Sequence, residues 1–520
     1  MGQVAAALAA GRPVAAKPAE ETPLTAARAH RLLIEAGVPE EAFALLPGDG
    51  AVGAALVDRP EIAGVLFTGS TATARAIGAR LLARNTLPPP LFVAETGGLN
   101  AMVVDSSALP EQVVADVLVS AFDSAGQRCS ALRLLCVQEE VYPRLRQLLL
   151  GAMAELRTGR PDRLTTDVGP LISAEARRRV ARHIEAMRAR GRHVHQAPLT
   201  EEAEFGFFLP PTLIELESAA ELEEEIFGPV LHLVSYRREA LEGLIATLEA
   251  KGYALTFGIH SRLDETIEPL SRRAPAGNVY VNRSMIGAVI GVQPFGGHGR
   301  SGTGPKAGGP LLLRRLWPDE ARLPPLAAPL SRPEPPTLLQ AWLAHLASRV
   351  GPEERARHDQ LARLTWAGLS RELPGPVGER NLYLLEGREE VGLLAGDTEA
   401  ARLALTVLLG MGSRVWLAGD AGKALSASLP TALAARLRPL AEEALARLDL
   451  VLFDPGLSGL IEQRQDLFAR AGAVPVFVPL PPAGLAPEDF LTRLVWVARE
   501  RVISINTAAI GGNASLMTLA

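Results

Sequence analysis

Short apolar runs alternate with helix-length segments over the first hundred residues, and this order constrains the fold more than any other feature of the chain. QVAAALAAG reads as a helix stopped by Gly11, and RPVAAKP as a short buried strand ending at Pro18. Thr22 is placed to cap a helix from about Leu24 to Gly37. EIAGVLFTG reads as a strand, Gly69-Ser70 as a turn, and Thr71 to about Ala83 as a helix; PLFVAE and PEQVVADVLVSAF repeat the pair. A βαβα order calls for a mostly parallel sheet with helices on both faces, an α/β fold.

The alternation continues beyond residue 129. LRLLCVQ, ALTFGIHS and GNVYVNR are strand candidates, with short strands and an acidic run between 207 and 235. YPRLRQLLLGAMAEL and the basic EARRRVARHIEAMRARG are helical, the latter with a solvated charged face. Residues 287–310 are too rich in glycine for a helix or a central strand and read as a loop whose backbone approaches a partner closely. A proline-rich break, DEARLPPLAAPLSRPEPPT, precedes a second αβ region. Its strand candidates are EVGLLAG, SRVWLAG, LDLVLFD and AVPVFVPL; EAARLALTVLLGMG and ALAARLRPLAEEALARL are the helices between them, and it has no GxGxxG.

A chain of 520 residues exceeds one core and implies roughly two to four domains. The net charge of -5 and the lack of a basic block argue against nucleic acid as a partner. Two cysteines make no disulfide framework, and no CxxC or histidine cluster suggests a metal, so a reducing, cytoplasmic setting is expected. The start, MGQVAAALAAGRPVAAKP, lacks the basic region of a signal peptide and reads as a packed helix. No uninterrupted apolar run is long enough to cross a bilayer.

Cys129 lies in FDSAGQRCSALR, a polar, glycine-containing setting, whereas Cys136 in RLLCVQ reads as a core cysteine. A thiolate at Cys129 would attack a carbonyl carbon, and backbone N–H groups would hold the oxyanion, its own included if the turn opens a helix. The competing reading is a second buried cysteine. Glu95 ends the apolar run of VAETGGLN. It reads either as a cap for the Thr-Gly-Gly turn or as a base acting on the thiol or on water, and spacing does not separate these. Lys17 follows a strand end, where a parallel sheet presents its ligand crevice, but a surface lysine fits the same place. Gly69-Ser70 opens a helix and offers amides to an anion. Glu225 in LEEEIFGPV suits ribose hydroxyls, or else the acidic cluster is the first turn of a helix; Phe227 shapes a pocket wall or packs.

As a set, LAAGRPVAAKPAEETPL, VLFTGS, ETGG, GQRCS, EEIFGPV and QPFGG resemble the later part of an aldehyde dehydrogenase, over residues 1 to about 318. Within that superfamily NVYVNRSMIGAVIGVQPFGGHGRSGTGPKAGGP resembles the L-glutamate γ-semialdehyde (1-pyrroline-5-carboxylate) dehydrogenases, and more narrowly the module of that kind in bifunctional proline utilization proteins. The resemblance implies Cys129 as nucleophile and Glu95 as general base. It implies NAD as cofactor, with Lys17 and Glu20 at the adenosine ribose, Gly69 and Ser70 at the pyrophosphate, Glu225 at the nicotinamide ribose and Phe227 beside the nicotinamide. Ser130, with the backbone of Gly297 and His298, would anchor a substrate carboxylate. Glu20 near the ribose would repel the 2′-phosphate of NADP. The expected reaction takes glutamate semialdehyde to glutamate through a Cys129 thioester, the second step of proline catabolism. A homodimer is implied as well, with a weak strand near 310–317 as its exchanged element, and a proline dehydrogenase domain or chain as a partner.

The organisation that follows is the C-terminal part of an NAD-binding domain at 1–98, a catalytic domain at 99–300 and a return to the cofactor domain and flap at about 301–320. A linker at 321–350 and a second aldehyde dehydrogenase-like, non-catalytic Rossmann-like domain with its tail at 351–520 complete it. The tail ERVISINTAAIGGNASLMTLA and the region before it resemble the extra C-terminal domain of long proline utilization proteins, which covers the dehydrogenase. Compared with the family, the first strands of the cofactor domain and an oxyanion-donating Asn are missing before residue 1. Losing one such donor costs about 3–4 kcal/mol. The isolated chain is therefore expected to be poorly stable or inactive, a structural fragment being the first rival reading. An aldehyde dehydrogenase for another substrate is the second; a thiol hydrolase would need a histidine base that the sequence does not place.

Overall fold

The computed structural model describes residues 1–84, 86–200, 203, 205–317, 336–364, 366, 368–418, 429–456, 470 and 472–508. The chain divides into two compact units. One holds residues 1–96, 298–371 and 383–501; the other holds 97–297, 372–382 and 502–520.

The second unit is built on a parallel sheet. Seven of its strands run in the order Asn278–Val281, Thr256–His260, Ala101–Val104, Leu134–Gln138, Val230–Tyr236, Thr212–Glu215 and Val194–Gln196, and of these seven the last pairs antiparallel. Val502–Ile505 extend it beyond Asn278–Val281, again in parallel. The central strands are buried on both faces, which is why LLCVQ reads as a continuous apolar run. The helix Pro110–Phe122 buries Val113, Val114, Val117 and Ala121 on one face of the sheet, in a core with Leu135, Val137 and Leu231. The helix Ala174–Ala189 turns Val180, Ile184 and Met187 inward and its arginines outward, as its pattern requires.

In the other unit, Val14–Ala16 pairs in parallel with Phe43–Leu45, and Gly64–Thr68 with Leu91–Glu95. The first strand is only half-buried, not the buried strand expected from RPVAAKP. Thr22 stands at the N-cap of Pro23–Glu35 but gives no side-chain bond; Pro at the first helical position starts this helix instead. A five-stranded parallel sheet completes the unit, in the order Leu437–Pro439, Arg414–Ala418, Glu390–Leu394, Leu450–Phe453, Val476–Pro479. Numbered along the chain this is 3-2-1-4-5, a doubly wound order. Its Leu394, Trp416, Phe453 and Phe477 share one core with Val57, Ala74, Leu81 and Phe92.

Three further sequence expectations fail in this unit. The stretch 432–448 is not one helix: Thr431–Ala434 is a short helix, Leu437–Pro439 a strand and Glu442–Ala444 a 3-10 turn. Pro439 breaks a helix but is tolerated at the end of an edge strand. The weak strand near 310–317 is the helix Pro310–Leu316, which buries Leu311, Leu312 and Leu316. A short apolar run does not reveal its own period. Within the expected linker, Thr337–Leu346 is a helix with Leu339 and Trp342 buried. The rest of the proline-rich break and the tail beyond 508 lie outside the described residues. Among the described residues no helix is long and apolar enough to cross a membrane.

Candidate active site

The loop bearing Cys129 follows the helix Pro110–Phe122 through a strained turn. Ser124, Ala125 and Gly126 take φ of 55°, 54° and 64°, and two of these are not glycine. Left-handed backbone at non-glycine residues persists only where its surroundings impose it. Here Arg128 bonds Ser124 Oγ at 2.9 Å and Asp123 at 3.1 Å, and Gln127 spans to Pro170 O and Ile172 N. Cys129 sits in the following turn and does not open a helix; Leu134–Gln138 comes next as a strand. The condition on which its own N–H was expected to serve the oxyanion, a turn that opens a helix, is therefore not met.

Two side chains that the sequence reading passed over fix this loop. Asn100 donates from Nδ2 to Cys129 O at 2.6 Å and Ala131 O at 2.9 Å, while its Oδ1 accepts from Thr256 N at 3.1 Å. Arg133 is fully buried beneath the loop. Its guanidinium donates to Gly126 O at 2.7 Å, Arg128 O at 3.0 Å and Gly228 O at 3.2 Å, and reaches Glu225 Oε1 at 3.1 Å. Burial lowers the pKa of Arg133, and Glu225 and Cys129 act against that shift. An arginine inside an apolar strand pattern must find such partners, which was the available signal.

Glu225 brings in the ETGG motif. Burial raises its pKa while Arg133 opposes the rise, and its Oε2 accepts from Gly98 N at 3.2 Å. A Cβ on Gly97 would fall 2.0 Å from the same oxygen, and one on Gly126 2.1 Å from Gly228 O. The glycines of ETGG and AGQRC are there to admit a carboxylate and a carbonyl. Glu225 lies in irregular backbone, not in a helical first turn. Phe227 lies with its ring 5.3 Å from the Arg133 guanidinium carbon. Thus the ETGG, GQRCS and EEIFGPV motifs converge on one arginine. Cys129 is partly exposed and Cys136 buried, where burial pushes its thiol well above the usual range. Ser130 is buried, and its carbonyl accepts from Thr256 Oγ1 at 3.2 Å. Asn278 pins the loop before Gly297, accepting from Gly296 N at 3.3 Å and donating to Pro294 O at 3.0 Å.

Lys17, Glu20, Gly69, Ser70, Glu95 and His298 belong to the other unit. Lys17 Nζ donates to Pro18 O at 2.6 Å and Gly48 O at 2.9 Å and lies 3.7 Å from Glu20. Gly69 N donates to Glu95 O at 3.1 Å, and a Cβ on Gly69 would strike the Phe67 ring at 2.5 Å. Ser70 caps Thr71–Ala83 through Thr73 N at 3.1 Å. Glu95 ends the strand Leu91–Glu95 against residues 300–303: Thr96 N donates to Ser301 O at 3.0 Å, and Thr303 N to Ala94 O at 2.9 Å. Its Oε1 accepts from Ala307 N at 2.8 Å. Burial, with Arg499, Arg501, Arg388 and Lys306 nearby, holds the His298 ring far below its ordinary pKa and therefore neutral.

A parallel α/β frame, a clamped and partly exposed cysteine, and a strand-end glutamate are the marks of one known enzyme class. The aldehyde dehydrogenase family model matches residues 1–316, and the chain belongs to that family. Among curated proteins it is 48% identical over 548 residues to the bifunctional protein PutA of Salmonella typhimurium, spanning all of this chain and 40% of that one. The chain thus covers about two fifths of such relatives. The structure of proline utilization A from Corynebacterium freiburgense matches 98% of this chain and 48% of its own, at 26% identity and a TM-score of 0.77. The 1-pyrroline-5-carboxylate dehydrogenase from Thermus with bound NAD matches 61% of each chain, at 34% identity and a TM-score of 0.56.

Proposed function

We propose that this chain carries the NAD-dependent oxidation of L-glutamate γ-semialdehyde, in equilibrium with 1-pyrroline-5-carboxylate, to L-glutamate. The observation that carries the reading is the clamp on Cys129: Arg133 and Asn100 hold both sides of its turn while the cysteine itself stays partly exposed. A core cysteine needs no such fixing.

The donor set suits a dinucleotide. Lys17 and Glu20 pair at a strand end for ribose hydroxyls, and Gly69-Ser70 open a thirteen-residue helix whose first amides suit phosphate. Glu225 and Phe227 are the residues for the nicotinamide end. Bound there, NAD would supply the hydride acceptor that the conversion of a Cys129 hemithioacetal to a thioester requires. Cys129 forms the C–S bond to the aldehyde carbon. Glu95 takes a proton from water, water adds to the thioester carbon, and the C–S bond breaks to release the carboxylate product and the Cys129 thiolate. Ser130 with the backbone at Gly297 and His298 holds the substrate carboxylate; a neutral His298 offers polarity there without a second charge.

The five-stranded sheet serves as the second aldehyde dehydrogenase-like, non-catalytic layer, supported by its doubly wound order and by the likeness over nearly the whole chain to the Corynebacterium protein. The division into an NAD-binding part at 1–98, a catalytic part at 99–300 and a C-terminal domain from 351, a dimeric state, a proline dehydrogenase partner and a cytoplasmic setting complete the proposal. The test is NADH formation by the purified chain with semialdehyde and with propionaldehyde, followed by the same assay with Cys129→Ala. Semialdehyde-selective turnover lost in the variant is expected; equal turnover of both aldehydes would remove the carboxylate seat from the account.

A further inference from the structure

Glu500 lies in the strand Ala498–Asn506, more than four hundred positions along the chain from Glu95, yet both act on the same short turn. Glu500 Oε2 accepts from Lys306 N at 2.8 Å, and Glu95 Oε1 accepts from the next amide, Ala307 N, also at 2.8 Å. Glu500 is 4% exposed. Its other oxygen accepts from Tyr383 Oη at 2.9 Å, and a Cβ on Gly309 would fall 2.4 Å from it, so the seat is cut to the carboxylate. Lys306 is 2% exposed. Burial lowers its pKa; Glu500, Glu95 and Glu386 oppose that shift and Arg501 adds to it. Arg388 holds the approach to this turn three residues before Lys306, donating to Thr303 O at 2.6 Å. A buried carboxylate with this many fixed donors is expensive to place and is not needed for packing.

We propose that Glu500, oriented by Tyr383, is a positioning residue for Glu95, acting through the Lys306-Ala307 turn. The C-terminal strand then serves the chemistry directly: it fixes the donor that sets the rotamer of the water-activating carboxylate. This rests on the reading of Cys129 and Glu95 given above, and the experiment separates the two.

The probe is p-nitrophenyl acetate, which needs no cofactor. The Cys129 thiolate adds to the ester carbonyl, the C–O bond breaks and p-nitrophenolate leaves. Water then adds with its proton going to Glu95, the C–S bond breaks and acetate leaves. Glu500→Ala should keep the nitrophenolate burst at full amplitude and slow the steady state roughly 10- to 100-fold, as misplacing a catalytic group does. Glu500→Gln, which still accepts from Lys306 N, should recover part of the rate, and Tyr383→Phe should fall between it and the parent. Amide exchange over residues 304–309 should quicken in Glu500→Ala while Glu390–Leu394 and Leu450–Phe453 exchange as before. A steady state within about twofold of the parent, or a burst lost together with the steady state, overturns the proposal. If the parent chain gives no burst, the Cys129 reading fails, and the exchange measurement still decides whether Glu500 holds the turn.

Discussion

The Arg133 guanidinium sits 3.1 Å from the Glu225 carboxylate, and both groups are largely removed from solvent, at 0% and 13% side-chain exposure. Because the same guanidinium holds Gly126, Gly228 and Arg128 carbonyls, one side chain sets the cysteine loop and the Glu225 position together. Arg133→Met removes the charge and every donor, leaving Glu225 buried and unpaired. A loss of about 3–5 kcal/mol in folding stability is expected. Arg133→Lys keeps the charge but loses the planar fork. It should fold nearly as well as the parent by urea melting, yet react more slowly with iodoacetamide at Cys129. Equal alkylation rates in the parent and the lysine variant would show that Arg133 does not set the loop.

Gly97 and Gly151 make a matched pair. A methyl group on Gly97 would collide with Glu225 Oε2 at 2.0 Å, whereas one on Gly151, inside the helix Tyr142–Ala154, meets nothing within 4 Å. Gly97→Ala should therefore displace Glu225, lower the melting temperature and weaken NAD binding measured by fluorescence quenching. Gly151→Ala should stabilise the protein by up to about 1 kcal/mol through helix propensity alone, with NAD binding unchanged. Similar effects from both substitutions would contradict the close approach described for Gly97.

The elements of residues 1–300 were largely legible in the sequence. Buried parallel strands such as Leu134–Gln138 leave unmistakable apolar runs, and Ser70 followed by Thr71 marks the start of a helix that does run from Thr71 to Ala83. The tertiary partners were not legible. Nothing in LRLLCVQ says that Arg133 will bond back to Arg128 O five residues before it or across to Gly228 O, the latter 95 positions along the chain. Lys306 and Glu500 were invisible for the same reason. Leu437–Pro439 was missed because helix-forming residues surround it, and the edge position that admits Pro439 exists only once the sheet is assembled. Local pattern fixed the elements, and long-range polar pairing fixed the site.

His183 and His232 make the protein acid-sensitive. Their Nε2 atoms are 2.8 Å apart, and His232 Nδ1 donates to Arg133 O at 2.9 Å, so only one proton lies between the two rings and they cannot both be charged. Burial lowers His183 to about 4 and His232 to about 3. Both folded-state values lie below the unfolded value near 6.5, so the unfolded chain binds protons first as pH falls. Their contribution is fully present above about pH 6.5 and is lost as pH falls toward about 4 and then 3, on the order of a few kcal/mol. Urea melts at pH 7, 5 and 4 should show this loss, and His183→Gln should flatten it. A stability independent of pH across that range would mean the pair is charged or solvated.

The two cysteines should separate cleanly by reactivity. Cys136 is buried in the central strand Leu134–Gln138, and desolvation of its thiolate pushes its pKa far above neutral pH. Cys129 is partly exposed, and its carbonyl is fixed by Asn100 Nδ2 at 2.6 Å. Iodoacetamide on the native protein at pH 7.5, read by peptide mass spectrometry, should label Cys129 and leave Cys136 unmodified until urea unfolds the chain. Asn100→Ala frees the Cys129 and Ala131 carbonyls and the Thr256 amide at once, leaving three backbone groups to find water. The turn should loosen, so that labelling of Cys129 becomes less sensitive to the removal of Arg133 while turnover falls. If Cys136 is labelled at the rate of Cys129 in the native protein, the buried strand that separates their roles is not closed to solvent, and the assignment of the nucleophile loses its structural support.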